Sequence, residues 1–298
     1  MLYDVSLTIT HGYAVPAESA RTVAHLMPLS RPGEQMLITG MIQADPWPDE
    51  RLDRFDFFGN AVTEFAWRNP VEALTLTLQA RVERIAMPTT LDLSPPVEGL
   101  ARELQSVASL NPGSPHHFRH GSPRVRLVPE MTAFARGCLW PGITAQQAVI
   151  AIGRALYAEM TFDAEATDVN TRPEDAFALR HGVCQDFTHI MIACLRGIGI
   201  PAAYASGFLR TLPPKGKERL AGADAMHAWV RAWVGVDGGW IEFDPTNDQL
   251  VGTDHIVVAY GRDYDDVAPD RGVLKTWGEQ ESTQAVDVIP VVPAAQPA

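Results

Sequence analysis

The chain is short of cysteine, short of positive charge and without a long apolar run, and each shortage excludes something. Cys138, Cys184 and Cys194 are its three cysteines. An odd, sparse set is not a disulfide framework. Cys184 and Cys194 stand ten residues apart, about 15 Å along a helix, too far for a bridge. The expectation is a reduced, cytoplasmic protein. Lysine and arginine number 24 against 36 acidic residues, a formal net charge of −12. Nucleic acids and anionic membranes both require a basic surface, so neither is an expected partner. No apolar stretch approaches the roughly 18 residues of a membrane helix. Residues 1–10 have neither the basic region nor the continuous apolar region of a signal peptide. Phosphate-binding glycine loops of both standard forms are missing, as is an acidic loop of calcium-binding form. No cofactor and no metal are expected.

What is present describes an ordinary soluble chain, 46% hydrophobic and 20% charged over 298 residues. That length suits one large domain or two ordinary ones. Residues 3–9 and 74–82 alternate apolar and polar side chains, and 36–42 do so less cleanly. Period-two alternation marks strands with one buried face. Gly59-Asn60, between apolar runs, is a hairpin-turn signal. Residues 88–126 hold six prolines and read as an irregular connection, with a short helix over 97–106. Helical spacing follows in a short helix from Pro129 and a longer one over 144–160. Thr144 and Gln147 of the longer one match a capping box. A helix over 174–179 follows Pro173. The next begins at Cys184 and stops near Gly197-Ile-Gly199-Ile-Pro201. Strand patterns return at 203–209, 227–236, 240–244 and 255–261, with Asp237-Gly-Gly239 as a turn. The pattern predicts an α+β protein. An antiparallel β-sandwich-like domain spans 1–120 and a second domain 121–275. A C-terminal strand and tail occupy 276–298, the last ten residues frayed.

The stretch from Arg180 to His189 is the most informative. Phe187, Ile190, Met191, Cys194, Leu195 and Ile198 recur at steps of three and four, one face of a helix. Cys184 therefore sits at a helix N-terminus, where unpaired N–H groups and the helix dipole favour an anion. A thiol there loses its proton more readily than a free one. A buried, inert cysteine is the competing reading. His227 begins a strand, and Asp244 ends the next one just before Pro245. A hairpin brings the far ends of its strands together. The count is uneven, however: ten residues from His227 to Asp237 and five from Gly239 to Asp244. A bulge, a longer turn or a diagonal pairing is needed. Such a trio suits acyl transfer, with a thiolate attacking, an imidazole moving the proton and a carboxylate orienting the imidazole. The Cys184 N–H at the helix start is placed to donate to an oxyanion. Taken singly, a half-exposed histidine and a strand-ending Asp-Pro are both ordinary.

Together, residues 182–189, 199–208, His227-Ala-Trp229 and 239–247 resemble the bacterial transglutaminase-like superfamily. Residues 255–269 resemble the family's continuation, and 56–65 resemble the β-domain that precedes its core. The resemblance covers roughly residues 1–275. It implies a papain-like α/β catalytic core over 121–275, with Cys184 as nucleophile, His227 as general base and Asp244 as orienting acid. Met226 stands where a small serine is common in the family, Ala203 where arginine is, and Thr188 where alanine is. Met226 adds bulk beside the histidine and bears on substrate preference.

Gln185, Asp186, Met226, Trp229 and Asn247 are the candidate substrate-binding residues. Each also has a plainer reading. Asp186 opposes thiolate formation by its charge, yet the first turn of a helix welcomes an acid. A helix-start role is thus set against a contact with a substrate amine. Trp229 and Trp240 read as core or site walls, and Asn247 as a turn residue or a partner of Asp244. His116, His117 and His120 lie in a proline- and glycine-rich loop with no cysteine or acid nearby, a poor metal set. The expected function is a cysteine hydrolase that cleaves a peptide or protein amide through an acyl-thioester. An acyltransferase joining a glutamine acyl group to an amine is the first alternative, and a non-catalytic binding protein the second. Fold alone does not decide between them.

Overall fold

The first strand, β1 (Leu2–Ala17), turns alternation into a sheet: Tyr3, Val5, Leu7 and Ile9 are buried and the residues between them are not. The structure, a computed structural model, describes residues 1–86, 91–167, 169–211, 222 and 224–291. The expected fraying of the last ten residues therefore falls largely outside the described residues. After β1 come β2 (Ala20–Ala24), β3 (Gln35–Asp45), β4 (Glu50–Phe55), β5 (Ala61–Trp67) and β6 (Val71–Arg84). The middle of the chain holds α1 (Val97–Ser106), α2 (Pro129–Gly137), α3 (Ala145–Glu159), β7 (Thr161–Phe162), α4 (Pro173–Leu179), β8 (His181–Gly182) and α5 (Cys184–Gly197). The remainder is β9 (Ala202–Leu209), β10 (Ala225–Trp233), β11 (Trp240–Asp244), β12 (Gln249–Leu250), β13 (His255–Gly261), α6 (Tyr264–Val267), β14 (Asp270–Leu274) and β15 (Gln280–Pro290).

Two four-stranded antiparallel sheets, β15-β1-β6-β3 and β14-β2-β5-β4, form the N-terminal β-structure. Their inner residues, among them Val5, Leu7, Phe65, Trp67 and Leu76, join one apolar cluster. The last strands of the chain, β14 and β15, complete the sheets that the first strands begin. β1 runs eight residues beyond the expected 3–9 because Thr10–Tyr13 also find ladder partners on β15. The Gly59-Asn60 turn joins β4 to β5 as expected, closed by Gly59 N–H on Asp56 O at 3.2 Å.

The second layer system is the sheet β12-β11-β10-β9-β13 with α5 against one face. Phe187, Ile190, Met191 and Leu195 of α5 bury with Ala228, Val230 and Ala232 of β10. Each fully buried side chain of this size contributes about 1.5–3 kcal/mol, so the face anchors α5 firmly. α2, α3 and α4 pack around the helix. The expected capping box starts α3: Thr144 Oγ1 accepts Gln147 N–H at 3.2 Å and Gln147 Oε1 accepts Thr144 N–H at 3.3 Å. α5 ends where Ile200 N–H returns to Leu195 O at 2.9 Å, with Pro201 next. Among the described residues no helix is long and apolar enough to cross a membrane.

β13 is the edge of the second sheet, and its outer backbone is satisfied by two side-chain amides and by the Leu29 N–H, which donates to Val257 O at 3.0 Å. The Gln35 amide donates to Val257 O at 2.8 Å and accepts Val257 N–H at 2.9 Å. The Asn60 amide does the same with Tyr260, at 2.8 Å each way. Both amides are buried. Each imitates one residue of a neighbouring strand, which both blocks the edge and docks the N-terminal β-structure onto the second sheet.

Candidate active site

The candidate site forms where the start of α5, the start of β10 and the end of β11 meet. Cys184 is the first residue of α5. The approach is tight. Arg180 leaves α4 at φ +59° with its guanidinium 4.0 Å above the Phe177 ring. Gly182 has no room for a side chain: a Cβ there would lie 2.7 Å from Asp186 Oδ2. That space lets Asp186 fold back, with Oδ2 accepting the Val183 N–H at 2.9 Å and the Thr167 hydroxyl at 2.7 Å. Asp186 is buried and serves the helix start. The N–H groups of Cys184 and Gln185 belong to the first turn, where a helix supplies no acceptor. Gln185 is half-exposed, its amide 3.4 Å from Val169 O.

The pairing of β10 with β11 settles the uneven count. Trp233 faces Trp240 and Val230 faces Phe243. The turn therefore spans 234–239, closed by Val234 N–H on Gly239 O at 2.8 Å. One more step of that register sets Trp229 across from Asp244, with His227 two residues further along on the same face. The contact is diagonal, within reach of an aromatic ring. His227 Nε2 lies 2.8 Å from Asp244 Oδ2. Its ring also interacts with the Cys184 side chain, which raises its pKa. Because Asp244 occupies Nε2, Nδ1 is the nitrogen left for the thiol. Burial works against a charged His227, but its bond to Asp244 and its interaction with Cys184 outweigh that and raise its pKa to about 10. Asp244 is fully buried. Burial opposes its charge too, yet bonds from His227 and His255 hold its pKa well below the carboxylate range.

Four donors converge on Asp244. His227, His255 (3.1 Å) and Asn247 Nδ2 (2.7 Å) all reach Oδ2, and Thr246 N–H reaches Oδ1 at 3.0 Å. Asn247 is exposed at the rim and lies 3.4 Å from His227 Nε2, over the His–Asp bond. Trp229 is fully buried. Its indole N–H donates to Glu242 Oε2 at 2.7 Å, so it supports the site from below. Glu242 also takes Arg31 at 2.9 Å and the Tyr260 hydroxyl. Burial would raise its pKa, but Arg31 and Arg231 bring it below the usual value. Met226 is half-buried and packs on the apolar core one residue before His227.

His227, Asp244 and His255 each present a ligand atom within 4.8 Å of the others. Two imidazoles and a carboxylate are donors that zinc takes, but separations of 2.8 and 3.1 Å to Oδ2 are those of hydrogen bonds already made. The histidines of the 116–120 loop do not converge. His116 Nε2 bonds Val107 O at 2.8 Å, and His117 Nε2 bonds Asn111 O at 3.0 Å. The other thiols differ from Cys184 in setting. Cys194 is buried, which pushes its pKa far up. Cys138 is raised by burial and by Glu159, with its thiol donating to Phe134 O at 3.4 Å.

A cysteine opening a helix on an antiparallel sheet, with a His–Asp pair on adjacent strands, defines a papain-like core. Residues 133–245 match the transglutaminase-like superfamily, and residues 3–83 match the bacterial transglutaminase-like N-terminal region. An uncharacterised protein of Mycobacterium tuberculosis is 35% identical over 268 residues, covering 86% of this chain and 82% of its own length. One from Mycobacterium leprae is 31% identical over 285 residues, covering 93% and 94%. The crystal structure of a candidate cysteine protease from Cytophaga hutchinsonii superposes with a TM-score of 0.73 at 21% identity, covering 100% of this chain and 93% of that one. The chain belongs to the transglutaminase-like superfamily.

Sequence reasoning missed His255 and Glu242. Both read as strand residues, because a period-two pattern reports only which face a side chain is on. A histidine opening an otherwise apolar strand, His255-Ile-Val-Val-Ala, was the available signal for the first.

Proposed function

We propose that the protein is a cysteine hydrolase that cleaves a peptide or amide bond through an acyl-thioester on Cys184. The observation that carries this reading is one imidazole, His227, bonded to Asp244 at 2.8 Å and interacting with Cys184 at the first residue of α5. In this reading the Cys184 proton passes to His227 Nδ1 and the sulfur attacks the amide carbon. First-turn N–H groups of α5 stabilise the oxyanion. The C–N bond breaks as His227 returns the proton to the leaving amine. Water then attacks the thioester, giving its proton to His227, and the thiol leaves as the acid is released. Asp244 holds the Nε2–H throughout. The raised His227 pKa supports an imidazolium that persists at neutral pH beside the sulfur. A groove of about 470 Å³, walled in part by Leu250 and Arg210 and by Asn247 and His255, which both bond Asp244, offers a place for a peptide segment, although Cys184, His227 and Asp244 themselves do not line it. The fold is shared with the Cytophaga hutchinsonii protein described as a candidate cysteine protease.

The test is a peptide library offered to the wild type and to Cys184→Ala, followed by a glutamine peptide with a labelled primary amine. Cleavage that Cys184→Ala abolishes supports the reading. Incorporation of the amine label in place of hydrolysis replaces it with acyl transfer. Binding without turnover and without a covalent Cys184 adduct reduces the protein to a scaffold.

A further inference from the structure

His255 is an imidazole with one polar contact among the described residues. It opens β13 and is 2% exposed. Its Nε2 lies 3.1 Å from Asp244 Oδ2. A carboxylate oxygen only accepts, so Nε2 carries the hydrogen and donates. The other nitrogen, Nδ1, is buried with no hydrogen-bond partner among the described residues. A buried unpartnered nitrogen costs stability that an apolar side chain of similar size would not. The polar contact that the ring does make is with the carboxylate that holds His227.

The packing delivers the ring to that place. β9 lies between β13 and β10, and its Gly207 faces His227 on one side and Val257 on the other. A Cβ on Gly207 would sit 2.5 Å from the Trp229 ring and 2.1 Å from Ile256 O. The absent side chain lets Trp229 and β13 close over β9. Trp229 then meets His255 edge-on with centroids 5.2 Å apart, and His227 and His255 lie 6.1 Å apart.

We propose that His255 is a positioning residue: its Nε2–H fixes the Asp244 oxygen that accepts from His227, and so keeps the His227 ring turned to Cys184. The proposal deepens the cysteine-hydrolase reading and rests on it. The titratable groups facing this cluster are His227 on β10, Asp244 on β11 and Cys184 at the start of α5. Asp254, next in the chain, is engaged by Arg210 at 3.1 Å and by the Tyr3 hydroxyl at 2.8 Å. Glu242 is reached through Trp229 and is engaged by Arg31. Without His255, Oδ2 keeps Asn247 and His227 but loses the donor on the β13 side, and the carboxylate can turn from the ring.

The experiment measures the rate of Cys184 alkylation by iodoacetamide against pH, with peptide mapping, in wild type, His255→Leu, His255→Gln and His255→Asn. Thermal midpoints are taken alongside. Glutamine places an amide N–H about where Nε2 was, and asparagine falls short of it. The expected result is that His255→Leu moves the acid limb up by about one pH unit, a tenfold slower reaction below it, without a lower melting temperature. His255→Gln restores the wild-type limb and His255→Asn does not. If the leucine variant fails to fold, the Gln–Asn contrast decides alone. A fast wild-type Cys184 whose profile is unchanged or moves down in His255→Leu, or a Gln variant that behaves like Asn, overturns the proposal and leaves the hydrolase reading standing. A wild-type Cys184 no faster than Cys138 and Cys194 overturns both.

Discussion

His227 Nε2 meets Asp244 Oδ2 at 2.8 Å although the two residues are not partners across their hairpin. Trp229 holds the position opposite Asp244, and the histidine reaches diagonally past it. The geometry therefore depends on Trp229 staying down, and it does so because its N–H is tied to Glu242 and Gly207 leaves its ring room. A half-buried acid on one strand ties down a tryptophan on the next, and the histidine reaches past that tryptophan.

The charge on Asp244 is the first thing to remove. Asp244→Asn keeps the shape of the side chain but loses the charge that favours the His227 imidazolium. The expected outcome is a fall in kcat/KM of about 10³–10⁴-fold and a lower melting temperature, because the amide NH2 faces donors that the carboxylate accepted. A loss smaller than about tenfold would show that orientation by Asn247 and His255 suffices without the charge.

Stability in mild acid turns on a different histidine. His189 is buried in α5, and burial pushes its pKa down to about 3, with Arg124 and Arg196 acting in the same direction. Its Nε2 accepts the Tyr264 N–H at 3.1 Å. Unfolded, the ring titrates near 6.5. Because the folded value is the lower one, the unfolded chain takes up the proton first. The contribution is full above about pH 6.5 and is lost as pH falls toward 3. His227 is shifted upward, so its contribution is already complete below about pH 6.5 and adds no slope there. Asp244 is shifted downward, and its contribution goes only below about pH 5. The urea midpoint is therefore expected to fall between pH 6.5 and 5 in the wild type. The slope should flatten in His189→Gln, whose amide can still accept. An unchanged slope in that variant assigns the acid sensitivity elsewhere.

The amide clamps on β13 give a prediction about the joint between the two layer systems. Asn60→Ala strands the N–H and C=O of Tyr260 in buried surroundings, and Gln35→Ala strands the N–H of Val257, whose C=O keeps the Leu29 N–H. Each is expected to cost about 2–4 kcal/mol in denaturant unfolding, far more than a surface turn residue would. A cost under about 0.5 kcal/mol means that water or a shifted backbone replaces the amide.

Much of this architecture was legible in the residues. The α5 face showed because Phe187, Ile190, Met191 and Leu195 must all bury on one side. The capping box of α3 showed because its two side chains satisfy each other locally. β1 and β6 showed through alternation, although their length depended on partners far along the chain. What did not show was anything set by register between distant strands. The turn after β10 looked as if it began at Asp237, whereas pairing of Trp233 with Trp240 places it over 234–239. Asn60 looked like a turn residue, and its amide does bond Asp56 within the turn, but it also bonds both backbone groups of Tyr260, 200 residues away. His255 approaches Asp244 only because β13 folds onto β9, which no local pattern reports.

The account stands most directly on Cys184 being the activated thiol. Wild-type protein and His227→Ala are treated with iodoacetamide near neutral pH, and each cysteine is followed by peptide mapping. The account predicts that Cys184 reacts at least about tenfold faster than Cys138 and Cys194, and that His227→Ala slows it while leaving the other two unchanged. Equal, slow labelling of all three thiols, or a Cys184 rate indifferent to His227, would contradict it.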